Sequence, residues 1–110
     1  MNSLGISSED LTNQINHLDS LIRSCILCDL HKTRKLAVPG TGSGISGLML
    51  IGEGPGFYED KQGLPFVGRA GKLLDKLLKE ISISRKDVFI TNVVKCRPPN
   101  NRDPLPQELE

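Results

Sequence analysis

The order of elements between Gly47 and Val94 constrains this chain more than any single motif does. The run "GLMLIG" (Gly47–Gly52) is short, apolar and bounded by glycines, which predicts a buried strand. A glycine-rich stretch follows, after which Leu73, Leu74, Leu77, Leu78 and Ile81 fall on one helical stripe. "DVFITNVV" (Asp87–Val94) is rich enough in β-branched residues to form a second strand. Strand, helix, strand in that order is a βαβ unit, so the expected architecture is a parallel α/β sheet. Upstream, Leu11, Ile15, Leu18, Leu21, Ile22 and Cys25 recur at helical spacing behind Ser7 or Ser8 as a capping residue, predicting an amphipathic helix that ends at Cys25. With 110 residues there is room for one small domain at most, and a core of that size is only marginally self-sufficient.

In open parallel sheets ligands bind outside the carboxyl ends of the strands. Both informative loops leave from those ends: "IGEGPGFYEDKQGLPFVGRAG" (Ile51–Gly71) after the first strand and "KCRPPNNRDP" (Lys95–Pro104) after the second. Gly52, Gly54 and Gly56 permit close approach of a ligand to the backbone, and Pro55 stiffens the turn. A phosphate cradle is a weak reading of "GEGPGF", because the third glycine sits at the wrong offset and a proline removes a backbone donor. A tight strand-to-helix turn accounts for the glycines equally well. Glu53, Glu59 and Asp60 are candidates for acid/base chemistry, although loop carboxylates are ordinarily solvated, and Phe66 reads first as a core residue.

The three cysteines, Cys25, Cys28 and Cys96, include one C-x-x-C pair, which fits a metal in a reducing compartment better than a disulfide framework. Cys25 and Cys28 lie at the C-terminal end of the predicted helix, where the dipole does not depress a thiol pKa, so thioredoxin-like redox catalysis is disfavoured. No second close pair completes a zinc ribbon. Two close thiolates and a distant one make either a metal or iron–sulfur site one ligand short, or three unrelated thiols. The net charge of +1 demands neither a nucleic acid nor an acidic membrane as partner. No apolar run approaches the ~18 residues of a membrane span, and "MNSLGISSED" lacks the features of a signal peptide, so the expected protein is soluble and cytoplasmic.

In combination, "GEGPG" followed by "ED", then "QGLPFVGRAGKLLD" and "TNVVKCRPPNNRDP", resembles the type 4 uracil-DNA glycosylases, the iron–sulfur members of their superfamily. The likeness runs from Cys25 to the end of the chain. It implies a three-layer α/β sandwich with a central parallel sheet, of which residues 1–110 form the N-terminal portion of a single domain. The activity implied is base-excision repair: hydrolysis of the bond between uracil N1 and deoxyribose C1′, leaving an abasic site, with uracil-containing DNA as partner and a monomer as the acting species. By the same resemblance Gly52, Gly54 and Gly56 line the base pocket, and Phe66 stacks on the flipped uracil. Asn92 reads the base, its amide offering a donor and an acceptor to uracil O4 and N3–H where cytosine presents the reverse pattern. Glu59 lies where a thymine methyl would have to fit, Glu53 is the first acid of the loop, and Asn101 positions the water. Cys25, Cys28 and Cys96 would be ligands of a 4Fe-4S cluster. Arg34, Lys35, Arg69, Lys72, Lys95 and Arg97 are candidates for contacts to flanking phosphates, or else ordinary solvated charges.

The sequence also departs from the family pattern. Gly54 replaces the usual alanine, which is expected to add flexibility without loss of activity. A fourth cysteine beyond "RPP" and a later His-Pro-Ser motif are absent from these residues, and His17 and His31 lie outside any such motif. The chain alone is therefore expected neither to hold a stable four-iron cluster nor to excise uracil. The competing readings are a nucleotide-binding α/β module, which would bind free nucleotide and tolerate Phe66→Ala, and a non-catalytic metal-binding module, which would hold metal without any dependence on Asn92.

Overall fold

The structure, a computed structural model, describes residues 8–110. Helix α1 (Ser8–Arg23) leads through a single-turn 3₁₀ segment (Asp29–Lys32) and an irregular stretch to strand β1 (Met49–Gly52). Helices α2 (Phe57–Gln62) and α3 (Arg69–Glu80) then return the chain to strand β2 (Phe89–Asn92), and two further 3₁₀ turns, Pro99–Asn101 and Pro106–Glu108, follow. Among the described residues no helix is long and apolar enough to cross a membrane.

The βαβ expectation holds. Strands β1 and β2 pair in parallel, with Met49 opposite Phe89 and Gly52 opposite Asn92. The pairing carries past the strand ends, where Val93 and Val94 N–H donate to the Gly52 and Glu53 carbonyls, both at 2.9 Å. On its other edge β2 is met by Thr41, which exchanges two hydrogen bonds with Ile90.

Two apolar clusters hold these elements. Leu78, Val88 and Ile90 form the first, with Leu48, Leu50, Phe66, Leu74 and Ile83 packed on it. Leu30, Ala37, Val94 and Cys96 form the second, with Ile22 and Cys28 against it. Each fully buried aliphatic contributes about 1.5–3 kcal/mol, so Val88 and Ile90, both at 0 % exposure, anchor β2 firmly.

Three expectations need correction. Strand β1 is not buried on both faces: it alternates, with Met49 and Ile51 open to solvent and Leu50 turned inward, because only one side of the strand meets α3 and its cluster. The leucine stripe of α3 is likewise divided, with Leu74 and Leu78 packed inward while Leu73, Leu77 and Ile81 are exposed. Helix α1 ends at Arg23, short of Cys25, whose N–H closes a final turn on the Ile22 carbonyl. Of its two candidate caps, Ser7 lies outside the described residues and Ser8 opens the helix.

Candidate functional site

The last register pair of the sheet, Gly52 and Asn92, sits where both loops depart. A cavity of about 360 Å³ opens there, walled by Gly52–Gly56, Phe66 and Asn92 on one side and by Pro98, Asn101, Arg102 and Pro104 on the other. A second cavity of about 240 Å³ adjoins it, sharing Gly54, Gly56, Phe66 and Asn92 and adding Glu59 and Ala70. The eight residues that the resemblance assigns to the base pocket and the water, Gly52, Glu53, Gly54, Gly56, Glu59, Phe66, Asn92 and Asn101, thus converge on one region at the carboxyl end of the sheet. A larger apolar groove between α1 and the sheet, about 470 Å³, contains none of them.

The absence of a side chain at Gly52 is a geometric requirement. A Cβ there would lie 2.4 Å from Phe66 Cζ and 2.5 Å from Asn92 Oδ1, so the ring and the amide both rest against bare backbone. At Gly54 a Cβ would meet only Val94 and Pro98 at ordinary contact distances of 3.7 and 3.9 Å. An alanine fits at that position without rearrangement. Asn92 is buried, and its main-chain carbonyl is bound by the Lys95 ammonium, which also donates to Thr91 Oγ1 at 2.8 Å. Burial pushes the Lys95 pKa below its usual value. Lys95 is therefore turned into the structure and is not a solvated charge.

The Phe66 backbone is left-handed, φ 53°, a conformation rare for a bulky side chain and confined to places where surrounding contacts enforce it. Gly71 makes room for it, since a Cβ there would lie 1.8 Å from the Phe66 carbonyl oxygen.

Glu59 lines the pocket, but its carboxylate is engaged by the loop itself. Oε1 accepts from Gly56 N–H at 3.0 Å, and Oε2 accepts from Val67 and Gly68 N–H at 2.8 and 2.7 Å. Burial pushes its pKa up, but the hydrogen bonds from Gly68, Val67 and Gly56 prevail and hold it below the ordinary 4.5. The backbone N–H groups that a phosphate cradle would need are already occupied by this internal anion, which counts against the nucleotide-binding alternative. Helix α2, within the loop, is the element the sequence reading missed: Glu59 reaches back to its N-terminus, and Gly63, φ 73°, closes its C-terminus on the Glu59 carbonyl. Asp60 is buried and accepts from Lys35 N–H at 2.8 Å, so it too serves the backbone.

Glu53 is exposed on the cavity wall. Asn100 and Asn101 are both left-handed, φ 56° and 55°, and Arg97 Nε–H donates to Asn101 Oδ1 at 2.8 Å. That bond leaves the Asn101 Nδ2 as the group able to meet water or substrate. Arg102, also on the wall, makes a two-pronged ion pair with Glu108 at 2.8 and 2.9 Å. With Leu105 N–H bound as well, Arg102 holds the Glu108 carboxyl down at about 2. Beside the pocket, Lys35 and Arg97 lie over the exposed Phe57 ring, 5.9 and 5.5 Å from its centre.

The three cysteines line a separate cavity of about 180 Å³ among Ile22, Leu30, Val94 and the last residues of the chain. Arg34 reaches into this region, donating to the Cys25 carbonyl at 2.7 Å, the Cys96 sulfur at 3.1 Å and the Arg23 carbonyl at 3.4 Å. This placement removes Arg34 from the set of phosphate-facing cations. Burial pushes the Cys96 thiol pKa up, against the lowering effect of Arg34. Among the described residues no group of three His, Cys, Asp or Glu closes to metal-binding geometry. His31, the other nearby donor, has Nδ1 at 2.7 Å from the Cys28 carbonyl.

The fold and pocket define an α/β protein with a cavity at the carboxyl end of a parallel sheet, lined by an aromatic ring and a buried amide. The chain belongs to the uracil DNA glycosylase superfamily, whose family model matches residues 39–110. It is 55 % identical over 96 residues to the type-4 uracil-DNA glycosylase of Archaeoglobus fulgidus, a match covering 84 % of this chain and 48 % of that protein. It is 60 % identical over 89 residues to the type-4 enzyme of Saccharolobus solfataricus (80 % and 41 %) and 55 % identical over 87 residues to that of Thermotoga maritima (79 % and 45 %). The chain spans about half the length of these curated relatives.

Proposed function

We propose that this chain carries the base-recognition part of a uracil-DNA glycosylase, receiving uracil flipped out of DNA. The observation that supports it best is the juxtaposition of Phe66 and Asn92 across Gly52 at the sheet edge. A flat base on the Phe66 ring gains about 1–3 kcal/mol from stacking. The Asn92 amide then pairs with O4 and N3–H, rejecting cytosine because both of its groups would face like partners. In the reaction, water attacks deoxyribose C1′ as the bond to N1 breaks; uracil leaves as an anion and takes up a proton, and the sugar keeps the hydroxyl. Hydrogen-bond donors aimed at the departing base stabilise that anion. Asn101 Nδ2 and the Glu53 carboxylate are the polar groups on this wall that can hold the water.

The cysteines support an iron–sulfur reading as a donor set. Three thiols lining one cavity beside a cation match in donor type three of the four thiolates such a cluster takes, although they are not drawn together to metal-binding geometry, and Cys25, Cys28 and Cys96 would hold it. Bound there, the cluster would tie the end of α1 to the segment after β2. No step of the reaction is assigned to it. Free cysteines accord with a protein of the reducing cytoplasm, and a monomer acting on uracil-containing DNA is the form proposed.

The test is a titration of the isotopically labelled chain with free uracil and with cytosine, read at the amides of Gly52, Phe66 and Asn92. Saturable shifts with uracil and none with cytosine are expected, and Asn92→Asp should abolish the distinction. Equal responses to both bases, or none, would refute the reading.

A further inference from the structure

Phe66 needs something to enforce its left-handed backbone, and two ionisable side chains far apart in sequence grip the peptide groups on either side of it. On the N-terminal side, Arg85 Nη2 donates to the Pro65 carbonyl at 2.6 Å. The same guanidinium is fixed by a second bond, from Nη1 to Asp75 Oδ1 on α3 at 2.8 Å. On the C-terminal side, Glu59 Oε2 accepts from Val67 and Gly68 N–H. Between the two, the Phe66 ring is directed onto Gly52 and Asn92.

We infer that Arg85 is a positioning residue for base stacking, acting through the Pro65 carbonyl together with Glu59 to hold the Phe66 ring over Gly52 and Asn92. Arg85 lines neither of the two pocket cavities; it stands in the turn between α3 and β2. The planar fork of arginine is what the geometry requires, because one group must meet a carboxylate and a carbonyl at once in fixed directions. A lysine supplies the charge without the fork. Phe66 is only partly buried, so packing alone does not fix it, and a left-handed phenylalanine relaxes to extended backbone when the clamp is opened.

This inference rests on the uracil-binding reading for its consequence but not for its geometry, and two measurements separate the two. The first is the ring-current shift that Phe66 imposes on the Gly52 α-protons and the Asn92 amide, with Phe66→Leu as the zero. Arg85→Met is expected to lose most of that shift while the rest of the spectrum stays dispersed, and Arg85→Lys to lose a substantial part of it. If Arg85→Met does not fold, Arg85→Lys decides. Full retention of the shift in a folded Arg85 variant overturns the inference. The second measurement is uracil affinity, which should fall about tenfold in the same variants, the loss that follows when base–aromatic stacking is removed. If the unaltered chain binds no uracil, the functional reading fails and the ring-current result still judges the clamp. Should the shift collapse while uracil affinity stays unchanged, the positioning role is overturned.

Discussion

Gly52→Ala and Gly54→Ala, two residues apart on the same loop, should behave oppositely. Neither glycine is left-handed, so an alanine strains neither backbone, and the outcome depends on what the new methyl meets. At Gly52 it would lie 2.4 Å from Phe66 Cζ, 2.5 Å from Asn92 Oδ1 and 2.9 Å from Phe66 Cε2. Carbon atoms pack comfortably at about 3.5–4.0 Å, so the ring and the amide must retreat by about 1 Å. Such overpacking costs about 1–3 kcal/mol, and both displaced groups are the ones proposed to hold the base. At Gly54 the methyl meets Val94 Cβ at 3.7 Å and Pro98 Cδ at 3.9 Å, ordinary contacts. There the loss of unfolded-chain freedom should stabilise by about 0.4–1 kcal/mol. Urea denaturation followed by circular dichroism, with uracil titration on the same samples, reads both effects. The midpoint should fall for Gly52→Ala and rise slightly for Gly54→Ala, and uracil affinity should drop about tenfold or more only in the former. Equal midpoint shifts, or normal uracil binding by Gly52→Ala, would refute the steric reasoning.

Gly71→Ala places its methyl 1.8 Å from a backbone atom, the Phe66 carbonyl oxygen, which cannot swing aside as a ring can. Its urea midpoint should lie below that of Gly52→Ala, with a loss of at least about 3 kcal/mol. Glu59 sets a pH dependence of the loop: its folded pKa lies below 4.5, so its contribution is complete above that value and disappears as pH falls through the folded value. Hydrogen-exchange protection of the Val67 and Gly68 amides, followed from neutral pH downward, should collapse on the acid side of 4.5 and show no such step in Glu59→Gln. Arg34→Met removes the cation beside Cys96 while burial remains, so the thiol should become harder to ionise. Alkylation of Cys96, measured by peptide mass spectrometry across alkaline pH, should shift to higher pH, and anaerobic reconstitution should retain less iron per chain. Unchanged alkylation would exclude Arg34 as a stabiliser of the thiolate.

The βαβ unit was legible because its two signals are long-lived in sequence: an apolar run bounded by glycines and a leucine stripe at helical spacing. The pairing of Gly52 with Asn92 was not, since register depends on how α3 lays β2 against β1. Helix α2 escaped notice because its six residues carry no apolar period; it forms on a glutamate reaching back and a left-handed glycine. The direction of charged side chains was the least legible property. Arg34, Lys95 and Asp60 carry the composition of a solvated surface, yet all three turn inward to bond carbonyls, a sulfur or an amide. Arg85 gave no signal, because its partners, Pro65 and Asp75, come together only after the helix has folded back.

These inward charges share a pattern that bears on mechanism. Glu59 holds three N–H groups of the pocket loop, Asp60 the amide of Lys35, Arg85 the carbonyl before Phe66, and Lys95 the carbonyl of Asn92. These four groups around the proposed base-binding surface are thus committed to fixing backbone, whereas Glu53 on the cavity wall is exposed. A reaction that moved protons at the base through side chains would need at least one of them free, with a pKa near neutrality. A reaction that expels an anionic base needs fixed dipoles and few bare carboxylates nearby, because a free anion would repel the leaving group. Glu59, which lines the pocket with Phe66 and Asn92, has its charge offset by three backbone donors and so accords with the second requirement, while Glu53, exposed on the adjoining wall, is the carboxylate proposed to hold the water. Under the proposed function, rigid placement of Phe66 and Asn92 is then the main contribution of these residues, and substitutions that loosen their supports should weaken base binding as surely as substitutions of the two residues themselves.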